Sequence, residues 1–182
     1  NSVRGKGWNY INSVSSSKNN ETIAVGTFSE YSILDTIGGI DVNNDEIIDK
    51  ISEGNEDGII ISYNSLGEIN WYKTFGSTGD DGFNKVIHTS DNGYVVVGYV
   101  SGNTVKYDGN IISSLTKNSD STAKDALLLK LDSSGNYQWG VRLGGIGDEE
   151  ITSVIETSQK NIVIVGEYNS RIFNFYNKDT ST

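Results

Sequence analysis

The chain has 182 residues, enough to bury a substantial core as one domain. Its formal net charge of −10 argues against a nucleic-acid groove and against docking on anionic lipid, and no apolar run approaches the ~18 residues of a membrane helix. It has no Cys, which excludes a disulfide framework and thiolate chemistry, and no Pro, while 21 Gly and 10 Tyr give it the composition of a turn-rich β protein.

Taken in chain order, the hydrophobic pattern predicts a series of antiparallel hairpins. Residues 10–16 and 21–28 form the first, and a long excursion over 29–56 follows. Residues 57–63 and 69–75 form the second, joined by the turn Asn64-Ser65-Leu66-Gly67. Residues 83–89 and 94–100 flank Asp91-Asn92-Gly93, where Asn-Gly suits the left-handed backbone of a tight turn. A second excursion spans 101–124. Residues 125–131 and 137–143 pair through Asp132-Ser133-Ser134-Gly135, and residues 151–157 and 162–168 form the last hairpin. These are about ten strands of ordinary length.

The series repeats. Asp57, Ser65, Gly67, Trp71, Gly76, Gly79, Asp80, Val86, Val95, Val97 and Gly98 recur 68 residues later as Asp125, Ser133, Gly135, Trp139, Gly144, Gly147, Asp148, Val154, Val163, Val165 and Gly166. Asn12, Val14, Val25 and Gly26 match Asn84, Val86, Val97 and Gly98 at a shift of 72, the first excursion being four residues longer. A fixed period means one supersecondary unit stacked on copies of itself. The units are 8–76, 77–144 and 145–182, the last incomplete, within one repeat region covering 1–182.

Val95-Val96-Val97, Ile162-Val163-Ile164-Val165, Ile59-Ile60-Ile61 and Ala126-Leu127-Leu128-Leu129 are continuous apolar runs. A strand with one wet face alternates, so these runs predict burial of both faces. Val97, Val165, Leu128, Ile60, Trp71 and Trp139 are the expected core. Antiparallel hairpins buried on both faces require sheet stacked on sheet, and four strands per period make a propeller blade. The fold class is therefore all-β, with blades of four antiparallel strands. The competing two-sheet sandwich would alternate more cleanly. About two and a half blades are present, fewer than the four to eight that close a propeller. The expectation is an arc of a larger propeller, completed by a longer polypeptide or by a neighbouring copy. The absence of Met, even at position 1, fits a mature product or an excised fragment.

Asp125-Ala126-Leu127-Leu128-Leu129-Lys130-Leu131-Asp132-Ser133-Ser134-Gly135, then Trp139, then Gly144-Gly145-Ile146-Gly147-Asp148-Glu149-Glu150, then Val163-Ile164-Val165-Gly166 resemble the repeats of bacterial secreted and cell-surface β-propeller proteins. The resemblance covers most of residues 57–168. The first copy departs from it, with Trp8 in the place of Asp80 and Arg4 in the place of Gly76. It implies an extracellular, usually non-enzymatic module and names no ligand.

One stretch offers metal chemistry. Asp41, Asn43, Asp45 and Asp49 put side-chain oxygens at positions 1, 3, 5 and 9 of a loop, with the Ile47 carbonyl between them. That is the front of a calcium loop. Glu46 replaces the turn Gly and Ser52 the bidentate Glu, so the alternatives are calcium and a solvated acidic turn. Asp80-Asp81 and Asp148-Glu149-Glu150 recur at one phase of the repeat. An active site needs one arrangement and not one per blade, so they read as turn acids. Trp71 and Trp139 read as packing anchors more than sugar platforms. His88, the single histidine, supports neither a zinc site nor a catalytic triad. The spacing of Asp132, Gly135 and Trp139 is similar to a sialidase Asp-box with one residue added, a structural turn. No enzyme is expected. The leading role is a scaffold or protein/ligand recognition surface of a bacterial surface or secreted protein. The alternatives are a carbohydrate-binding or carbohydrate-processing propeller, and a subunit that completes its blades by self-assembly.

Overall fold

Strand pairing follows the sequence repeat. The computed structural model describes residues 4–5, 9–17, 20–29, 40–41, 49–117, 122–171 and 174–176. Its strands are β1 (Arg4–Gly5), β2 (Asn9–Ser16), β3 (Thr22–Ser29), β4 (Ile40–Asp41), β5 (Glu56–Tyr63), β6 (Ile69–Gly76), β7 (Asp81–His88), β8 (Tyr94–Val100), β9 (Lys106–Tyr107), β10 (Asn110–Ile111), β11 (Asp125–Leu131), β12 (Tyr137–Gly144), β13 (Glu149–Glu156), β14 (Ile162–Tyr168) and β15 (Asn174–Tyr176). A single 3-10 turn, Ser113–Leu115, is the only helical element among the described residues. The sheets are antiparallel. The first runs β2-β3-β5-β6 and the second β7-β8-β11-β12, each a four-stranded meander, while β13 and β14 form a third, two-stranded sheet. This is the arrangement of partial propeller blades.

Local chemistry explains the hairpins. Asn64 and Asp132 occupy the same repeat position. Each side-chain Oδ1 accepts two backbone N–H groups, from Leu66 and Glu68 and from Ser134 and Asn136. Gly67 and Gly135 complete those turns at φ of 77° and 75°. Each inner strand carries a bulge, between Ile11 and Ser13, Phe83 and Lys85, and Ile151 and Ser153. Opposite each bulge lies Gly26, Gly98 or Gly166, where a Cβ would collide with the carbonyl of Tyr10, Gly82 or Glu150. The recurring glycine is therefore a steric requirement of the recurring bulge.

The apolar runs alternate between two interfaces. In β8, Tyr94, Val96 and Val100 pack toward the first sheet with Ile23, Val25, Ile60, Phe83 and Val86. Val95 and Val97 face the third sheet and pack with Ala126, Leu128, Ile151 and Val154. The outer face of the first sheet is covered differently. Ile40, from the first excursion, packs on Phe28, Ile59 and Ile61. One expectation fails. Val165 is exposed, as is Val163, because no sheet among the described residues follows β13–β14 on that side.

The excursions have a common task. Lys106 of β9 pairs with Gly76 at the outer edge of the first sheet. Asn174 of β15 pairs with Gly144 at the equivalent edge of the second. Asp41 of β4 pairs with Arg4 of β1, which holds the same repeat position as Gly76 and Gly144. Each excursion thus reaches back to the outer edge of the unit before it.

Candidate functional site

The repeated carboxylates are architectural. Asp81 accepts the Ser77 backbone N–H at 2.5 Å, the Ser77 hydroxyl at 2.6 Å and the Ser101 N–H at 2.9 Å. Glu149, one repeat later, accepts the N–H groups of Gly145 at 2.9 Å and Asn169 at 3.3 Å. Asp80 accepts from the Asn55 amide and Asp148 from the Lys124 N–H. Burial pushes the Asp81 carboxyl up to about 6, opposed by the Ser77 and Ser101 donors. In the second and third units this carboxylate clasps two loops and so holds the blade together.

The aromatic residues are packing residues as well. Trp71 meets Tyr94 edge-on at 5.9 Å, and a Cβ at Gly135 would collide with its ring. Trp139 packs on the Val95 and Leu128 cluster. His88 meets the Tyr94 ring at 4.6 Å, with its Nδ1 3.3 Å from the Ser15 hydroxyl, and burial lowers its pKa.

Of the calcium-loop residues, Asp41 and Asp49 are described, while Asn43, Asp45 and Ile47 lie outside the described residues. The loop is closed at its base. Ile40 donates to the Lys50 carbonyl at 2.9 Å and Asp49 donates to the Ile40 carbonyl at 2.8 Å. Asp41 is buried. No cluster of three metal-ligating side chains occurs among the described residues.

A cleft of about 430 Å³ opens beside the second excursion. Its walls are the β9–β10 hairpin, the 3-10 turn, Lys73 from β6, and Asn136 and Tyr137 at the start of β12. Asp108 and Gly109 make the tight hairpin turn at φ of 49° and 82°. Asp108 is anchored by Lys73 at 2.8 Å. Tyr107 is buried and donates to the Gly135 carbonyl at 2.5 Å, which ties the excursion to the neighbouring blade. The Ser114 and Tyr137 hydroxyls lie 3.4 Å apart. Asn110 and Ile111 are exposed on the free edge strand β10. The cleft thus joins a strand edge that is unpaired among the described residues, hydroxyl and amide groups, and one apolar lip. The chain pattern held no warning of it, since Tyr107-Asp108-Gly109-Asn110 reads only as a turn.

No protein-family model matches the chain. Over 160 residues, 86% of its length, the chain is 28% identical to an uncharacterized WD repeat-containing protein of Acanthamoeba polyphaga mimivirus. It spans 11% of that relative's length. The similarity and the stacked four-stranded sheets together point to β-propeller-type repeats.

Proposed function

We propose that the chain is a non-catalytic β-propeller-type module of a surface or secreted protein, acting as a scaffold and recognition surface. The observation that carries this reading is the division of labour between frame and excursion. Repeated residues build the sheets and engage the carboxylates, whereas the cleft is built from residues that do not repeat. A rigid frame that presents variable loops is the usual basis of recognition. The free edge of β10 beside the cleft suits an extended peptide, which adds backbone hydrogen bonds to an open strand. The resemblance to bacterial surface repeats supports the extracellular placement. The second reading, a glycan ligand, is favoured by the hydroxyl and amide groups of Ser114, Tyr137, Asn110 and Asn136 in the same cleft.

The test screens the chain against a peptide library and a glycan array. Peptide binding lost on Ile111→Asp and kept on Leu66→Asp, at an exposed turn elsewhere, supports the leading reading. Glycan binding with the same dependence favours the second. Binding indifferent to Ile111, or turnover of a bound glycan, overturns the proposal.

A further inference from the structure

Lys117, in the second excursion, and Asp125, at the start of β11, form a buried pair that the recognition surface does not use. Their side chains are 1% and 0% exposed, and Lys117 Nζ lies 2.8 Å from Asp125 Oδ2. At that distance an ammonium and a carboxylate ordinarily share a hydrogen bond. Here Nζ has no partner in hydrogen-bond geometry among the described residues, and Asp125 Oδ1 has none either. Oδ2 is held instead by Arg142 Nε at 2.6 Å. Arg142 Nη1 is fixed in turn by the carbonyls of Gly102 at 2.8 Å and Leu115 at 3.2 Å. The two carboxyl oxygens are therefore unequal. One is gripped by a positioned guanidinium, and the other is unengaged with an amine beside the group.

We propose that this pair is a modification site, at which Lys117 Nζ and Asp125 Cγ join in an intramolecular isopeptide bond. The Nζ–Cγ bond forms and the Cγ–Oδ1 bond breaks. Two of the three ammonium protons pass to Oδ1, which leaves as water, and the third stays on the amide nitrogen. Oδ2 remains as the amide carbonyl oxygen. The negative charge that builds on Oδ2 in the tetrahedral intermediate meets Arg142 Nε already in place. The fold holds the two reacting groups in contact, so no encounter has to be made. Burial favours the product, because two ions that are costly to desolvate become one neutral amide. No oxidant or cofactor enters the balance. The first sheet lacks the same chemistry. At the repeat shift of 68, Thr74 stands in place of Arg142 and Asp49 in place of Lys117, so Asp57 has neither the amine nor the guanidinium. The bond would fasten to β11 the excursion that carries Ser113 and Ser114 of the cleft. It does not depend on what the cleft binds.

Mass spectrometry of the purified chain tests the bond. The intact chain should weigh one water less than its sequence. Trypsin should leave Lys117 uncut and release Tyr107–Lys124 linked to Asp125–Lys130. Lys117→Met should carry its full sequence mass and give no linked pair. The linked pair in the parent decides the matter by itself if that variant does not fold. A parent at full sequence mass overturns the proposal and leaves an ion pair only. A parent one water light in which trypsin cuts at Lys117 overturns it too. The loss then lies at an Asp-Gly step such as Asp108-Gly109, as a succinimide, which hydroxylamine cleaves and an isopeptide bond resists.

Discussion

Asp57 and Asp125 occupy the same position in successive sheets, yet among the described residues only Asp125 has a cationic partner. Asp125 Oδ2 receives Lys117 Nζ at 2.8 Å and Arg142 Nε at 2.6 Å, all three groups being almost wholly buried. Thr74 stands where Arg142 stands. Asp57 keeps the Glu53 N–H at 2.8 Å, and its Oδ1 has no hydrogen-bond partner among the described residues. Burial pushes its carboxyl up to about 7, with the charge of Asp81 adding to the rise. The recurrence of Gly76 and Gly144 has the same origin, since a Cβ at either position would meet the carboxylate of Asp57 or Asp125.

The first prediction concerns pH. The folded value of Asp57 lies above its ordinary value of 3.8, so the folded state binds the proton more tightly than the unfolded chain does. The resulting penalty is fully present above about 7, shrinks as pH falls, and is gone below about 4. Raised to about 6, Asp81 acts in the same direction. The chain should therefore gain stability on acidification from about pH 8 to pH 5. Three pKa units set a bound of roughly 4 kcal/mol for Asp57. Asp57→Asn should be more stable than the parent at pH 8 and equal to it near pH 4. Urea denaturation across this range checks it, and a variant less stable at pH 8 contradicts it.

The same substitution one repeat later should have the opposite sign. Asp125→Asn leaves Lys117 and Arg142 charged and buried without a carboxylate. Breaking a buried pair in this way costs about 3–5 kcal/mol. Urea midpoints of the two Asn variants at pH 8 should move in opposite directions, and equal shifts would mean that the two carboxylates are solvated alike.

A third prediction separates a closed interface from an open one. Leu128 and Val165 both lie in apolar strand runs, but only Leu128 is covered. Leu128→Ala should cost roughly 2–5 kcal/mol. Val165→Ala should stay within about 0.5 kcal/mol at dilute concentration, as exposed positions do. Comparable losses at the two sites would show that the third sheet is covered in solution.

The strands, their turns and the period were legible because each is written locally. Asn64 and Asp132 announce turns, and β8, β11 and β14 begin and end where the apolar pattern does. Four features were not legible. Exposure of Val165 depends on whether another sheet follows, and the run Ile162-Val163-Ile164-Val165 reads the same either way. The back-pairing of Asp41, Lys106 and Asn174 uses backbone groups, which impose no residue pattern. The contrast between Asp57 and Asp125 depends on Lys117, which comes from an excursion, and on Arg142, which lies across the hairpin. The cleft is of the same kind, assembled from segments distant in sequence, so no single stretch carries its signature.

The last prediction concerns calcium at the loop from Asp41 to Asp49. The backbone bonds between Ile40 and Lys50, and between Asp49 and Ile40, close the loop at its base and bring its two ends together. Hard cations take several oxygens at such spacing. With Asp41, Asn43, Asp45 and Asp49 as side-chain ligands and Ile47 offering its carbonyl, the set lacks the bidentate Glu that makes sensor sites tight. Binding should be weak, in the sub-millimolar to millimolar range of extracellular modules. Even at a hundredfold excess over the dissociation constant the folded state gains only about 2.7 kcal/mol. The melting temperature should rise in millimolar calcium relative to chelator, and Asp45→Ala should remove the difference. Leu128→Ala, in the repeat core, should melt lower in both conditions and keep it. If the parent melts alike with calcium and with chelator, the loop is a solvated acidic turn.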